Sequence, residues 1–229
     1  MLKRPEDRLI NLPEIRLLSG WQPYPYFIGE KLKGIETRDW YTAYRGWIAI
    51  HAAQRKIKKQ EFEDLHQGTA GTEANPIITR IQSRNLVLPH GAITAIAYLY
   101  DCQRMVSNQT ELQLSDFKVG DLVRLRAEGS QSQPSRVFEV TDIAVQHGRF
   151  YSLPNKLIHA GLVIEEQTAL ERSLGWWAEG RYGFIFDRDR IQVLPEPIPY
   201  KATQTPLVRL NLQNKHLIYK QLPAELSNV

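Results

Sequence analysis

The run LVLPHGAITAIAYLYDC, residues 86 to 102, constrains the fold of this chain more than any other stretch. It is long, rich in apolar and β-branched side chains, and preceded by turn signals. A strand that is apolar on both faces has to sit inside a sheet covered on both sides. A second segment, RGWIAIHA, alternates, with Ile48 and Ile50 on one face and Trp47, Ala49 and His51 on the other. With 42% apolar residues the chain has enough material to cover such strands. No apolar run approaches the roughly 18 residues of a membrane span.

The remaining segments group around these strands. Residues 1 to 15 read as a charged arm broken by Pro5 and Pro13. WQPYPYFIGEKLK predicts a short helix with its prolines in the first turn, where no backbone donor is lost. IETRDW alternates, so that Glu36, Arg38 and Trp40 face one way and Ile35 and Thr37 the other. The basic cluster RKIKK, 55 to 59, leads into a polar helix, EFEDLHQ, ending near Gly68. GTAGTEANP reads as a loop. From about 105 to 172 the pattern becomes strand-rich, with the polar loop EGSQSQPS inside it and a strand running into a helix at LVIEEQTALERSLG. RYGFIFDRDRIQVLPEPIPY is a further strand with a proline-rich exit.

Lys and Arg exceed Asp and Glu by 29 to 25, which permits a nucleic-acid partner without demanding one. The lone Cys102 excludes an intrachain disulfide framework and a multi-cysteine zinc site, and suits a reducing compartment. The charged N-terminus lacks the apolar region of a secretory signal. The expectation is a cytoplasmic protein with no membrane partner.

Five segments, LSGWQPYPYFI, KLKGIETRDW, YRGWIAIHA, PHGAITAIAYLYDC and GRYGFIFDRDRIQVLPEPIP, occur in the order found in ASCH domains of the PUA-like superfamily, which the chain resembles over roughly 14–104 and 173–210. The family signature is G-x-K-x-x-E-x-R. Lys33, Glu36 and Arg38 match it, while Lys31 replaces its opening glycine and Gly29 lies nearby. The resemblance implies an α+β fold: a PUA-like mixed β-barrel with flanking helices, formed by 14–104 and 173–210. An inserted small β-rich lobe would occupy 105–172, with terminal extensions at 1–13 and 211–229. It also implies a cleft for RNA or a nucleotide.

The residue types agree with such a cleft. Glu36 and Arg38 project to one face of a strand, so a carboxylate accepts from a base edge while the guanidinium holds phosphate or stacks. Trp40, Tyr44 and their neighbours Tyr41 and Trp47 offer faces for unpaired bases, and Arg45 of the family-like YRG reaches toward the cleft. The blander reading is a solvated strand face with weak ion pairs. Lys33, Glu36, Arg38, Trp40, Tyr44 and Arg45 are the candidate binding residues, with single-stranded RNA or a nucleoside as partner.

Other candidates read as structural. His51 shares a face with Trp47 and is expected to be partly buried. Asp101 and Cys102 are expected at a strand end. Trp176 and Trp177 point to opposite sides, as adjacent residues do, and are expected in the core. RKIKK is either a solvated helix end or a phosphate contact. No Walker loop, H-E-x-x-H or G-x-S-x-G is present, the six histidines lack metal-ligand spacing, and no cofactor or metal is expected. Two functions stay open: a binding module, which is favoured, and a hydrolase. One ASCH branch resembles an acetylcytidine amidohydrolase whose threonine falls at Glu36 here, and other members resemble ribonucleases. Thr37 faces away and is a poor substitute nucleophile.

Overall fold

The computed structural model describes residues 13–107, 122–127, 137–139, 155–159, 161–202 and 205–222. The N-terminal arm before residue 13 and the EGSQSQPS loop lie outside them. The chain forms β1 (Ile15–Gly20), α1 (Tyr24–Gly29), β2 (Ile35–Arg38), β3 (Gly46–Ala52), α2 (Lys59–Gly68), α3 (Ala74–Gln82) and β4 (Ala92–Val106). It continues with β5 (Leu122–Ala127), β6 (Val137–Glu139), β7 (Asn155–His159), β8 (Leu162–Val163) and α4 (Ala169–Ser173). The last elements are β9 (Tyr182–Pro199), β10 (Val208–Arg209) and α5 (Leu212–Tyr219). The fold is mixed α+β, built on a curled, barrel-like sheet in the order β10-β1-β3-β4-β9-β2, with β8 beside β4. No helix among the described residues is long and apolar enough to cross a membrane.

β4 is central, as its composition demands: it pairs with β3 on one side and β9 on the other, both antiparallel. Its register with β9 shifts at three places, and each shift adds local twist, which bends the long pair and curls the sheet. Side-chain alternation then sorts the core. Leu18, Ile48, Ile50, Leu99, Phe184 and Phe186 pack on one face, together with Ile28 of α1. Leu17, Trp47, Ala49, Ile96 and Leu194 fill the opposite face, which α5 closes with Ile218. Fully burying one such isoleucine is worth about 1.5–3 kcal/mol. A third cluster joins Phe27 of α1 to Phe62 and Leu65 of α2, Ile78 of α3 and Leu174.

Several boundaries differ from the sequence expectation. β4 begins at Ala92, because Gly91 adopts φ +64° and turns the preceding residues away. It runs on to Val106, so Asp101 and Cys102 lie inside the strand, not at its end. Residues read as loop start α3, with Pro76 in the first turn and Ile78 buried, a start that loop-like neighbours conceal. β8 pairs in parallel with β4, and buried Glu171 of α4 packs against the main body. The region 162–172 is thus part of the large sheet's surroundings, while β6-β5-β7 form a separate sheet. α5, placed in a terminal extension by the sequence reading, belongs to the core because Ile218 is fully buried.

Candidate binding pocket

The turn from α1 to β2 places the first candidate. The N–H groups of Leu32 and Lys33 both donate to the Phe27 carbonyl, at 2.9 and 3.0 Å, and Lys31 takes φ +61° to let the chain reverse. That is the left-handed conformation glycine favours. The turn drives Lys33 inward to 1% exposure. Its ammonium donates to the carbonyls of Ile35 (2.7 Å) and Leu174 (2.6 Å), and lies 3.4 Å from Glu36 Oε2. Two hydrogen bonds and an ion pair hold the ammonium, so Lys33 is a buried tie between β2 and residue 174.

β2 is an edge strand paired only with β9, and its alternation is as the sequence indicates. Ile35 and Thr37 are buried; Glu36 and Arg38 are half-buried. Glu36 Oε1 lies 3.0 Å from Arg38 Nη2, which also donates to the Ser19 carbonyl at 2.8 Å. Arg38 Nε is buried with no hydrogen-bond partner. This pair forms one wall of a pocket of about 350 Å³ whose other walls include Trp21, Tyr24, Gly175, Trp176 and Arg181. Burial, and secondarily the charges of Glu36 and Glu61, push the Tyr24 phenol above its ordinary pKa, so Tyr24 stays neutral.

The far wall is held by α4. Thr168 caps that helix by accepting from the Glu171 N–H (3.1 Å), and Glu171 Oε1 accepts from the Gly34 N–H (2.6 Å) and from Arg188. The Glu171 carbonyl accepts from the Trp177 indole at 2.8 Å. Beyond it, the Trp176 N–H donates to Thr37 Oγ1 at 2.9 Å. A Cβ at Gly175 would fall 2.8 Å from both Thr37 and the Trp177 indole nitrogen, so only glycine permits this close approach.

Trp176 is the residue the sequence reading missed. It is 71% exposed at the pocket mouth, with the Arg181 guanidinium 4.3 Å above its ring, while its neighbour Trp177 packs inward. The rule that adjacent residues diverge held, but both were assigned to the core. Trp21, 51% exposed and also lining the pocket, carries the Arg55 guanidinium 3.7 Å over its ring.

The remaining candidates do not converge here. Trp40 packs edge-to-face on Phe184 at 4.8 Å and lines an adjoining hollow of about 540 Å³, which shares Ser19, Trp21 and Arg38 with the pocket. The Tyr44 hydroxyl lies 3.0 Å from the carbonyls of Glu14 and Trp47, and burial pushes its pKa up to about 12. Arg45 donates to Asp101 and to the carbonyls of Thr42 and Tyr44. Tyr44 and Arg45 therefore brace the loop before β3 and line neither cavity.

His51 is 2% exposed and structural. Its Nε2 lies 3.1 Å from the Tyr200 carbonyl, which can only accept, so the ring proton sits there and Nδ1 accepts from the Ser19 hydroxyl at 2.8 Å. Burial lowers the His51 pKa, opposed by the Tyr200 contact. Among the described residues no group of three His, Cys, Asp or Glu side chains is placed to hold a metal ion. Compared with known proteins, the chain matches no protein-family model and no curated protein.

Proposed function

We propose that the pocket binds single-stranded RNA by accepting one unpaired base, or a free nucleoside, between Trp21 and Trp176. The observation that carries this reading is the Glu36–Arg38 pair, 3.0 Å apart, in a pocket that two exposed indoles, Trp21 and Trp176, also line. A carboxylate accepts from base N–H groups, a guanidinium binds phosphate, and indole faces stack on any base. A volume of about 350 Å³ is that of a small-molecule site. The resemblance to ASCH domains supports the same reading: its Lys, Glu and Arg positions fall on or directly behind this pocket, and the curled sheet is then read as a PUA-like barrel. The hydrolase alternative draws no support from the same geometry. The Thr37 hydroxyl accepts the Trp176 N–H, and Lys33 is committed to carbonyls.

Titration of short labelled oligonucleotides at several salt concentrations tests the proposal. Arg38→Ala should flatten the log–log salt slope by about 0.7, the contribution of one phosphate on a single strand. Glu36→Gln keeps an acceptor but loses the charge, so it should alter which base is preferred more than it alters the slope. Equal, weak binding by wild type and Arg38→Ala, with one slope for both, would remove RNA from consideration.

A further inference from the structure

A second concavity, about 670 Å³, lies between α2, the end of α3 and residues 84–90. Its wall includes Lys56, Lys58, Lys59, Arg84 and His90, against a single carboxylate, Glu63, which pairs with Lys59 at 3.7 Å. Lys56, Lys58 and Arg84 are exposed, and Lys59 has 92% of its side chain in solvent. Its apolar lining is mostly aliphatic, together with buried Phe62, and Val87 is 83% exposed. The cations around this lining outnumber its carboxylate, an excess suited to a polyanion.

The groove and the base pocket are joined by chain continuity. Trp21 lines the pocket, and Gln22 and Pro23 line the groove. On the facing segment Arg55 lies over the Trp21 ring, and Lys56 through Lys59 follow along the groove wall. A strand leaving the pocket past Trp21 thus meets Arg55 first and the lysines next. Arg55 is itself held by Glu61, which also accepts from the Lys58 N–H at 2.9 Å, so the start of α2 is fixed where the basic run begins.

Building on the base-pocket reading, we infer that this groove carries the sugar-phosphate backbone of the nucleotides next to the bound base, and that Lys56, Lys58 and Lys59 neutralise their phosphates. The protein then reads one base in the pocket and gains affinity from several neighbours without regard to their sequence.

The test compares a mononucleotide with a nonanucleotide of RNA, using wild type and the triple variant Lys56→Gln, Lys58→Gln, Lys59→Gln. Three lost contacts at about 0.7 each should flatten the nonanucleotide salt slope by about 2 and weaken its binding about 100-fold at 0.1 M salt. Mononucleotide affinity should be unchanged. A single Lys56→Gln variant, expected to remove one third of the slope change, covers the case in which the triple variant fails to fold. Lysine-dependent binding of the nonanucleotide without any mononucleotide binding would sustain the groove and defeat the base pocket. Mononucleotide binding with no gain for the nonanucleotide, or a nonanucleotide slope untouched by the variants, would overturn the groove inference alone. Tighter binding of an acidic amphipathic peptide than of the nonanucleotide would overturn it in favour of a protein partner.

Discussion

Glu36 and Arg38 lie 3.0 Å apart on one face of an edge strand, and the other Glu36 oxygen lies 3.4 Å from the buried Lys33 ammonium. One carboxylate thus joins a fully enclosed cation to one that borders a pocket. The two cations sit differently: Lys33 holds β2 to residue 174, and Arg38 lines the pocket.

Lys33→Met should therefore act on stability. It leaves the carbonyls of Ile35 and Leu174 without their donor, and a buried orphaned polar group costs about 1–3 kcal/mol. A combined loss of about 2–5 kcal/mol is expected, read from denaturant unfolding. A variant as stable as wild type, with weakened RNA binding alone, would contradict the structural role.

Lys31 sits at φ +61°, where a side chain costs roughly 1 kcal/mol relative to glycine. Lys31→Gly should raise stability by no more than about 0.5 kcal/mol, because the larger freedom of glycine in the unfolded chain offsets most of the gain. A higher denaturation midpoint at unchanged slope is the expected result. A lower midpoint would show that the lysine side chain stabilises the turn more than its backbone strain costs.

The division of work between these lysines shows what the sequence could and could not convey. Period-two alternation revealed which β2 and β3 residues share a face, because that geometry is local. Burial of Lys33 depends on two carbonyls, one of them at Leu174, and lysine by type reads as a surface residue. The N–H bond from Trp176 to Thr37 and the Glu171 clamp hold Trp176 at the pocket, contacts remote in sequence that no spacing rule contains. Tyr44 and Arg45 show the opposite case. Their types suit a ligand, but nearby carbonyls and Asp101 take their polar atoms. α3 was hidden because its first turn begins among Gly, Thr and Pro residues that also make loops.

His51 should make folding pH-dependent. Burial lowers its pKa in the folded protein below the ordinary value of about 6.5, so the unfolded chain binds more protons between those two values. Its contribution is fully present above about pH 6.5 and is lost as pH falls toward the lowered folded pKa. His51→Gln should flatten the stability profile in that window, measured by unfolding at closely spaced pH values. An unchanged slope would place the titrating group elsewhere.

Entry of a base between Trp21 and Trp176 is the central proposal. The five tryptophans act as internal reporters, because only these two are more than half exposed, while Trp47 is buried and the Trp177 indole is bonded to Glu171. The decisive measurement follows the indole N–H resonances by NMR as a short single-stranded RNA is added. The expected result is saturable shifts of the Trp21 and Trp176 signals, with Trp47 unmoved. Each tryptophan-to-alanine variant at these two positions should weaken binding by about 1–3 kcal/mol. Saturable RNA binding that leaves both signals in place would contradict the site, and no saturable binding at all would contradict the function.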